Sequence, residues 1–211
     1  MAGGCDRTGA SPTSPAAAAC RDERLRVSFL CRAMPSPLRI VSAKRTAAVA
    51  AQLAEFGRQT FQDTYAAQNS AEDMAQYLAE HFGPEQQLAE LQDPNTVFFL
   101  ALMQQQLVGY AKLTVGSTLG AEPGADVSNR AELQRLYVQE DWQGTGLGAT
   151  LLRRCLDEAR QRGCRSLLLC VWEKNTQAQE FYRRKGFKQI GETEYRVGHD
   201  VQNDFILRKG L

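Results

Sequence analysis

The sequence predicts a mixed α/β fold, a sheet flanked by helices, and three observations lead to this prediction. Apolar residues recur at helical spacing in the first half of the chain, as at Val49, Leu53 and Phe56. The run 166–171 is almost continuously apolar, which is typical of a buried central strand. A glycine-rich turn at 143–148 lies between a predicted strand and a predicted helix. No internal repeat is present, so the 211 residues suit one domain with an extension.

From residue 38 onward, the patterns define the elements in a regular order. The predicted strands cover residues 38–41, 97–102, 107–115, 132–138, 166–171, 187–190 and 204–208. The predicted helices cover 46–60, a segment capped by Ser70, 84–91, a segment from the glycine turn to about 162, and 175–185. Pro84 opens the third helix, and Gly163 and Gly186 end the fourth and fifth. The segment 116–129 is a loop rich in glycine and polar residues.

Residues 1–36 differ in kind from the rest of the chain. They contain a Ser- and Pro-rich stretch at 11–15, an alanine run at 16–19 and no apolar periodicity. Such a segment buries too little apolar surface to offset its ordering entropy. We therefore predict a disordered extension, or translated upstream sequence before a true start at Met34, and a folded domain over residues 37–211.

The composition argues against several classes of function. Lys and Arg number 25 against 24 Asp and Glu, a net charge of +1, so we expect no nucleic-acid partner. No apolar run is long enough to span a membrane, so we expect no membrane partner. The six cysteines form no C-x-x-C pair and only two histidines are present, which predicts no metal site. Cysteines at apolar positions, such as Cys155 and Cys170, favour a reduced, cytoplasmic location.

The turn after the strand 132–138 is a candidate anion site because of its alternating glycines. Its sequence is Gln143-Gly144-Thr145-Gly146-Leu147-Gly148. Glycine permits positive φ and a close approach of the backbone to a ligand, and the amide groups of the following helix then face outward. A pyrophosphate is the natural ligand for such a turn. The alternative is a tight strand-to-helix turn with no ligand.

A second interpretation of this turn is a dinucleotide fingerprint. Gly144-x-Gly146-x-x-Ala149 fits the alanine-ended form of that motif, and Glu173 near the end of the next strand would bind the ribose. Against it, too little chain follows the turn to build a doubly wound sheet. The spacing to Glu173 also exceeds the usual gap of about 20 residues.

The turn, taken together with a downstream pattern, resembles the GCN5-related N-acetyltransferase (GNAT) superfamily. The downstream pattern is Asn175-x-x-Ala178-x-x-Phe181-Tyr182-x-x-x-Gly186-Phe187. Longer segments are similar to the PaiA-type bacterial spermine/spermidine N-acetyltransferases. Those segments are 61–65, 68–70, 171–175 and 199–209. The resemblance covers residues 38–209 and implies the GNAT fold, a mostly antiparallel sheet with a central splayed pair of strands.

The resemblance implies acetyl-CoA as co-substrate, held mainly by the protein backbone. The implied cofactor-binding residues are Leu136, Tyr137, Val138, Gln143, Gly144, Thr145, Gly146, Leu147, Gly148, Asn175 and Arg184. The strand end 136–138 would pair with the pantetheine arm, and a backbone amide near Val138 would meet the oxyanion. Asn175 is equally explained as a helix N-cap, and Arg184 as part of a solvated helix face.

The resemblance also supplies candidate catalytic residues for attack of an amine on the thioester. Tyr182 would donate a proton to the departing thiolate, and simple packing under the sheet is the alternative for this residue. Glu132, eleven positions before Gln143, would act as the base, although many members of the superfamily rely on ordered water. Gln134 stands where many relatives have a second acid, which excludes a base at that position.

For the acceptor we expect a primary amine, preferably a polyamine such as spermidine or spermine. Its groove should contain acids and aromatic rings, and Trp172 and Glu173 are the candidate substrate-binding residues. The further candidates are Asp63, Glu72, Asp73, Tyr77 and Glu194. A protein or peptide amine is the alternative acceptor, and a non-catalytic acyl-CoA-binding regulatory module is the alternative of another class. Many members of the superfamily dimerise, which leaves a homodimer open for this chain.

Overall fold

The computed structural model describes residues 38–66 and 69–211. The strands are β1 (Arg39–Ser42), β2 (Thr96–Met103), β3 (Gln106–Val115), β4 (Arg130–Val138), β5 (Ser166–Trp172), β6 (Lys188–Val197) and β7 (Asp200–Gly210). The helices are α1 (Ala47–Tyr65), α2 (Ala71–His81), α3 (Pro84–Gln92), α4 (Leu147–Gln161) and α5 (Thr176–Arg184), with a short 3-10 helix at Glu140–Trp142. The predictions for residues 1–36 and for Met34 lie outside the described residues, as does the part of the PaiA-like match at Gln68.

The seven strands form one sheet in the order β1-β2-β3-β4-β5-β7-β6. Neighbouring strands are antiparallel at every position except β4 and β5, which are parallel. A dinucleotide-binding domain needs a parallel, doubly wound sheet. The interpretation of Gly144-x-Gly146-x-x-Ala149 as a dinucleotide fingerprint is therefore wrong, and the predicted mostly antiparallel sheet is confirmed.

Alternation along the strands divides the core between the two faces of the sheet. On β2, Phe99 and Ala101 belong to the larger cluster, which contains the buried faces of α4 and α5. Phe98 and Leu100 point to the opposite face and pack against α1 and α3. A third cluster joins the end of α1 to α2 and to Val197 of β6. The sheet is thus covered by α4 and α5 on one face and by α1, α2 and α3 on the other.

The local signals in the sequence correspond to the observed helix ends. The backbone amide of Val49 donates to Thr46 Oγ1 at the start of α1, and that of Asp73 donates to Ser70 Oγ at the start of α2. Pro84 is the first residue of α3, where its missing amide hydrogen is not needed. Ser70 and Pro84 therefore have the structural roles that the sequence predicts for them, as a helix cap and as the first residue of a helix.

The prediction was less accurate at the carboxyl end of the chain. The strands predicted at 187–190 and 204–208 are the ends of a longer hairpin, Lys188–Val197 with Asp200–Gly210. Most residues of β6 are exposed, because it is the last strand of the sheet. An edge strand of this kind has no regular alternation of apolar and polar residues, so the pattern that marks a half-buried strand is missing.

Candidate functional site

The site is organised around a gap between the two parallel strands. β4 and β5 pair only from Arg130 to Glu132 and from Ser166 to Leu168, yet β4 continues to Val138 and β5 to Trp172. On the other side of β4, Lys112 pairs with Arg135 and Leu113 with Leu133, which leaves Gln134 as an extra residue. Such a bulge bends its strand and increases the local twist. The predicted splayed pair is therefore present, and its inner edges have backbone groups without a strand partner.

The glycine turn lies at the open end of this gap. The φ angles of Gly144 and Gly146 are +75° and +90°, a region that favours glycine. A Cβ at either position would meet nothing within 4 Å, so the glycines serve the backbone conformation and not the packing. Gly146 caps α4 without any side-chain hydrogen bond to the first turn. The first amide groups of α4 thus stay free for an anion, in the positive field of the helix end.

The other residues of the turn hold it against the sheet. Gln143 Nε2 donates to the carbonyl of Val138 at 3.3 Å, and Thr145 Oγ1 donates to the carbonyl of Trp142 at 2.7 Å. Leu147 is buried in the larger core cluster and anchors the start of α4. A Cβ at Gly148 would lie 3.9 Å from the side chains of Val138 and Phe181, which is ordinary contact. The turn therefore faces the end of β4 on one side and α5 on the other.

Tyr182 and Asn175 approach the gap from α5. Tyr182 is buried, and its ring makes edge contacts with Phe181 and Phe187 at centroid distances of 5.1 and 5.5 Å. Burial raises the pKa of Tyr182 above its usual value, so the side chain stays a phenol at neutral pH. Asn175 Oδ1 accepts a hydrogen bond from the amide of Ala178 at 3.0 Å, which confirms the N-cap.

The face of the gap opposite α4 and α5 is lined by aromatic rings. Tyr137 of β4 and Trp172 of β5 stand on the two sides of the gap. The ring of Tyr65, from the end of α1, lies 5.9 Å from the Trp172 ring. Tyr77 of α2 makes a hydroxyl–hydroxyl contact with Tyr195 of β6. We call this aromatic surface, formed by Tyr65, Tyr77, Tyr137, Trp172 and Tyr195, the aromatic face.

A buried carboxylate, Asp204, lies at the edge of the aromatic face. Asp204 of β7 pairs with Trp172 across the strands, so the two side chains share one face of the sheet. Asp204 is only 7% exposed, and its Oδ1 has no hydrogen-bond partner among the described residues. Burial raises the pKa of Asp204 to about 6, and the negative charge of Glu173 acts in the same direction. Burial, together with the charge of Asp204, raises the pKa of Tyr65 to about 12.

Comparison with known proteins agrees with this geometry. Residues 58–187 match the acetyltransferase (GNAT) family. An uncharacterized N-acetyltransferase of Lactobacillus delbrueckii subsp. lactis is 32% identical over 154 residues, which cover 73% of this chain and 87% of that protein. This chain belongs to the GNAT acetyltransferase family. It is an N-acetyltransferase that takes its acetyl group from acetyl-CoA.

Two further relatives come from Thermoplasma acidophilum. A spermidine N(1)-acetyltransferase is 27% identical over 161 residues, which cover 74% of this chain and 88% of that protein. A crystal structure of PaiA N-acetyltransferase in complex with coenzyme A superposes with a TM-score of 0.65 at 24% identity, over 82% of this chain and 99% of that one. The fold of this GNAT chain is therefore similar to that of PaiA.

Two of the residues expected from the GNAT resemblance lie away from the open end of the gap. Glu132 is half-buried where β4 and β5 still pair, and its Oε2 accepts a hydrogen bond from Ser117 Oγ at 2.6 Å. Arg184 is 69% exposed and forms an ion pair with Glu180 at 2.9 Å. Glu180 also forms an ion pair with Arg183. Hydrogen bonds from the two arginines lower the pKa of Glu180 to about 2.

Sequence reasoning missed Asp204 as a functional candidate, although the residue lies in a segment similar to PaiA-type enzymes. The available signal was a carboxylate directly before the apolar residues Phe205, Ile206 and Leu207. Over residues 38–66 and 69–211, no group of three potential ligands is arranged to bind a metal ion. In the same part of the chain, no helix is both long and apolar enough to cross a membrane.

Proposed function

We propose that this GNAT enzyme acetylates a primary amine of a polyamine such as spermidine or spermine, by direct attack within a ternary complex. The observation that supports this acceptor is the buried carboxylate of Asp204, which shares a face of the sheet with Trp172 and lies near the ring of Tyr65. A polyamine has ammonium groups separated by methylene chains. Carboxylates bind the ammonium groups, and aromatic side chains can contact both the ammonium groups and the methylene chains. The similarity to a spermidine N(1)-acetyltransferase agrees with this choice.

In this proposal the gap between β4 and β5 binds the donor. The backbone of Leu136, Tyr137 and Val138 pairs with the pantetheine arm along the unpaired edge of β4. The amide groups of Gln143 to Gly148 bind the pyrophosphate, because the first turn of α4 has no side-chain cap. Asn175, at the start of α5, lies beside the pantetheine arm. Arg184 reaches a phosphate only after leaving Glu180, so its contribution is the smallest of the set.

The chemistry needs an oxyanion site and a proton for the leaving thiolate. The amide of Val138, at the free end of β4, is the proposed donor to the oxyanion. Tyr182 is the proposed acid, because its pKa is raised by burial and its hydroxyl retains its proton until the thiolate forms. Trp172 and Glu173 are the proposed contacts for the acceptor amine. Glu132 is half-buried at the closed end of the gap and would accept a proton from the amine only through water.

The test is release of free thiol from acetyl-CoA with a panel of acceptors. The panel contains spermidine, spermine, simple diamines, a monoamine and a lysine-containing peptide. We expect the highest kcat/KM with the polyamines, since each additional ammonium group meets Glu173 or a neighbouring acid. Preference for the peptide over every small amine would refute the polyamine assignment and favour a protein or peptide acceptor.

A further inference from the structure

Asp204 is an unusual carboxylate for the interior of a sheet. It lies within β7, between Trp172 of β5 and Thr193 of β6, and is 93% buried by area. Its Oδ1 has no hydrogen-bond partner in the described part of the chain. A buried charge of this kind is costly unless it meets a donor or a cation. A structural role alone does not explain why a carboxylate occupies this position.

The groups that surround Asp204 contain no cation paired with it. The titratable groups among them are Tyr65 of α1, Tyr77 of α2, Cys170 of β5 and Glu173 just after β5, and the cross-strand neighbours are Trp172 and Thr193. Tyr65 is a phenol at neutral pH because its pKa is raised to about 12, and Glu173 is an acid of the same sign as Asp204. Lys174 turns its Nζ over the Trp172 ring, 5.5 Å from the centroid, and forms no ion pair with Asp204. Among the described residues, none of these neighbours supplies a positive charge to Asp204.

The position of Asp204 along the sheet distinguishes it from Glu132. Glu132 pairs with Leu168, the last residue of β5 before the gap opens, whereas Asp204 pairs with Trp172 at the open end. Leu168 and Trp172 are four residues apart, which is about 13 Å along a strand. Tyr137 and Trp172 flank the gap at that open end, where the acetyl group is expected to emerge on the aromatic face. Asp204 is thus closer than Glu132 to the proposed point of attack.

We propose that Asp204 binds the reacting ammonium group of the acceptor and accepts its first proton. This inference rests on the proposed amine acetylation, and it assigns the base of that reaction to β7 instead of β4. A raised pKa makes the carboxylate a stronger base than an ordinary aspartate. It also brings the pKa of the carboxyl group closer to that of the amine. Burial of Asp204 is the main cause of its raised pKa, and the negative charge of Glu173 adds to it.

The proton balance of the reaction gives Asp204 a defined task. The ammonium nitrogen has three protons and the amide product has one, so two must leave. The carboxylate of Asp204 accepts the first and later releases it to water. The freed electron pair of the nitrogen then forms the bond to the carbonyl carbon, and the C–S bond breaks with its electron pair on sulfur. The second proton leaves the nitrogen as Tyr182 protonates the thiolate, and the Tyr182 phenol is thereby restored.

The test is the pH profile of kcat/KM for the wild type, Asp204→Asn, Glu132→Gln and Glu192→Gln, at saturating acetyl-CoA. If Asp204 takes the proton, the wild type uses the ammonium form. Its kcat/KM then rises to about pH 6 and stays level until the amine itself titrates near pH 10. Asp204→Asn reacts only with the free amine. Its kcat/KM should be about 100-fold lower at pH 7 and should rise about tenfold per pH unit between 6 and 9.

The other two variants separate this role from a general effect of lost charge. Glu192 is an exposed carboxylate of β6 that accepts from Asn203, and Glu192→Gln should leave the profile unchanged. The kcat/KM of Glu132→Gln should still be independent of pH between about pH 6 and 10, as in the wild type. A profile of Asp204→Asn that is superimposable on the wild type overturns the inference, as does loss of the level region in Glu132→Gln alone. Acetyl-CoA affinity, measured for each variant, verifies that it is folded.

The same experiment separates this inference from the polyamine proposal. If only the peptide is acetylated, the polyamine assignment fails, and the four profiles recorded with the peptide still test Asp204. If no amine of the panel is turned over, calorimetry of spermidine binding to the protein–CoA complex replaces the profile. We then expect about tenfold weaker binding by Asp204→Asn, which is about 1.4 kcal/mol. Equal affinity overturns the inference.

Discussion

The two sides of the gap between β4 and β5 are built in different ways. The proposed donor side comes mainly from one continuous stretch, β4, the glycine turn and the start of α4, and its proposed binding groups are backbone amides. The aromatic face is assembled from Tyr65, Tyr77, Tyr137, Trp172 and Tyr195, which belong to five different elements. The donor side therefore depends on local backbone conformation, whereas the acceptor side depends on the tertiary fold.

This difference predicts how each side responds to substitution. A change in the glycine turn should abolish donor binding without disturbing the fold, because the turn is exposed and has open space around its glycines. A change on the aromatic face should alter acceptor use, and also stability, because the same side chains are part of the core.

The largest effect is expected for Gly146→Glu. The substitution introduces a side chain where φ is +90° and a negative charge at the start of α4, where the pyrophosphate is expected to bind. We expect the Kd for acetyl-CoA to rise more than about 100-fold, since like charges in contact cost several kcal/mol. Isothermal titration calorimetry with acetyl-CoA measures this change.

Gly124→Glu is the matched control for that variant. Gly124 has a φ of +81° and open space around its Cβ position, but it belongs to the loop before β4 and not to a helix end. Both variants thus introduce the same side chain and similar backbone strain. If Gly124→Glu weakens acetyl-CoA binding as much as Gly146→Glu does, the loss comes from strain, and the turn is not the pyrophosphate site.

The next largest effect is expected for Tyr182→Phe. Phenylalanine keeps the edge contacts with Phe181 and Phe187 and removes only the hydroxyl. We expect kcat to fall about 100-fold with little change in acetyl-CoA affinity, because the proton for the thiolate must then come from water. Steady-state kinetics and calorimetry together measure both quantities.

Tyr110→Phe provides the comparison for this variant. The Tyr110 hydroxyl is buried and has no hydrogen-bond partner among the described residues, so its removal leaves no group unsatisfied. Its kcat should equal that of the wild type. An unchanged kcat in Tyr182→Phe as well would exclude Tyr182 as the acid and leave it as a packing residue.

The same contrast explains what could be predicted from the sequence. The glycine turn, the Ser70 cap and the strand–turn–helix order depend on local residue preferences, and they appear in the structure at the predicted positions. The bulge at Gln134 was not predictable, because nothing in the residue type marks it. Asp204 could not be predicted as a functional candidate, because only its pairing with Trp172 across the sheet places it beside the aromatic face. The length of β6 was underestimated because an edge strand lacks an apolar period.

A smaller effect, on stability, is expected for Asp204→Asn. The folded-state pKa of Asp204, about 6, lies above the usual value of 3.8, so the ionised carboxylate opposes folding. Stability is therefore lost as the pH rises from about 4 to 6, and the full penalty remains above pH 6. The substitution removes this penalty, so we expect a gain on the order of 1–3 kcal/mol at pH 8 and little or none at pH 4.

Denaturant unfolding at the two pH values measures that gain. A more stable but less active variant would identify Asp204 as a residue kept for function at the expense of stability. If Asp204→Asn instead destabilises the protein at pH 8, the carboxylate has a structural partner in the folded state, which contradicts its proposed role in binding the amine.

The smallest effect is expected for Asp73→Asn, which tests how the aromatic face is held together. Asp73 Oδ1 accepts from the backbone amide of His199 at 2.7 Å and interacts with His199 Nδ1 at 3.0 Å, so it joins the start of α2 to the β6–β7 turn. Hydrogen bonds from the His199 backbone and from Ser70 lower the pKa of Asp73 to about 2. Its stabilising contribution is therefore complete above about pH 4 and is lost only as the pH falls towards 2.

At neutral pH, asparagine keeps the shape of Asp73 but loses its charge and one acceptor oxygen. The β6–β7 turn should then be held less firmly over α2, and the KM for the amine should rise a few-fold while kcat and acetyl-CoA affinity stay the same. The effect is small because the contact is close to solvent, which screens the charge. An increase in the Kd for acetyl-CoA without a change in the amine KM would contradict the division of the gap into a donor side and an acceptor side.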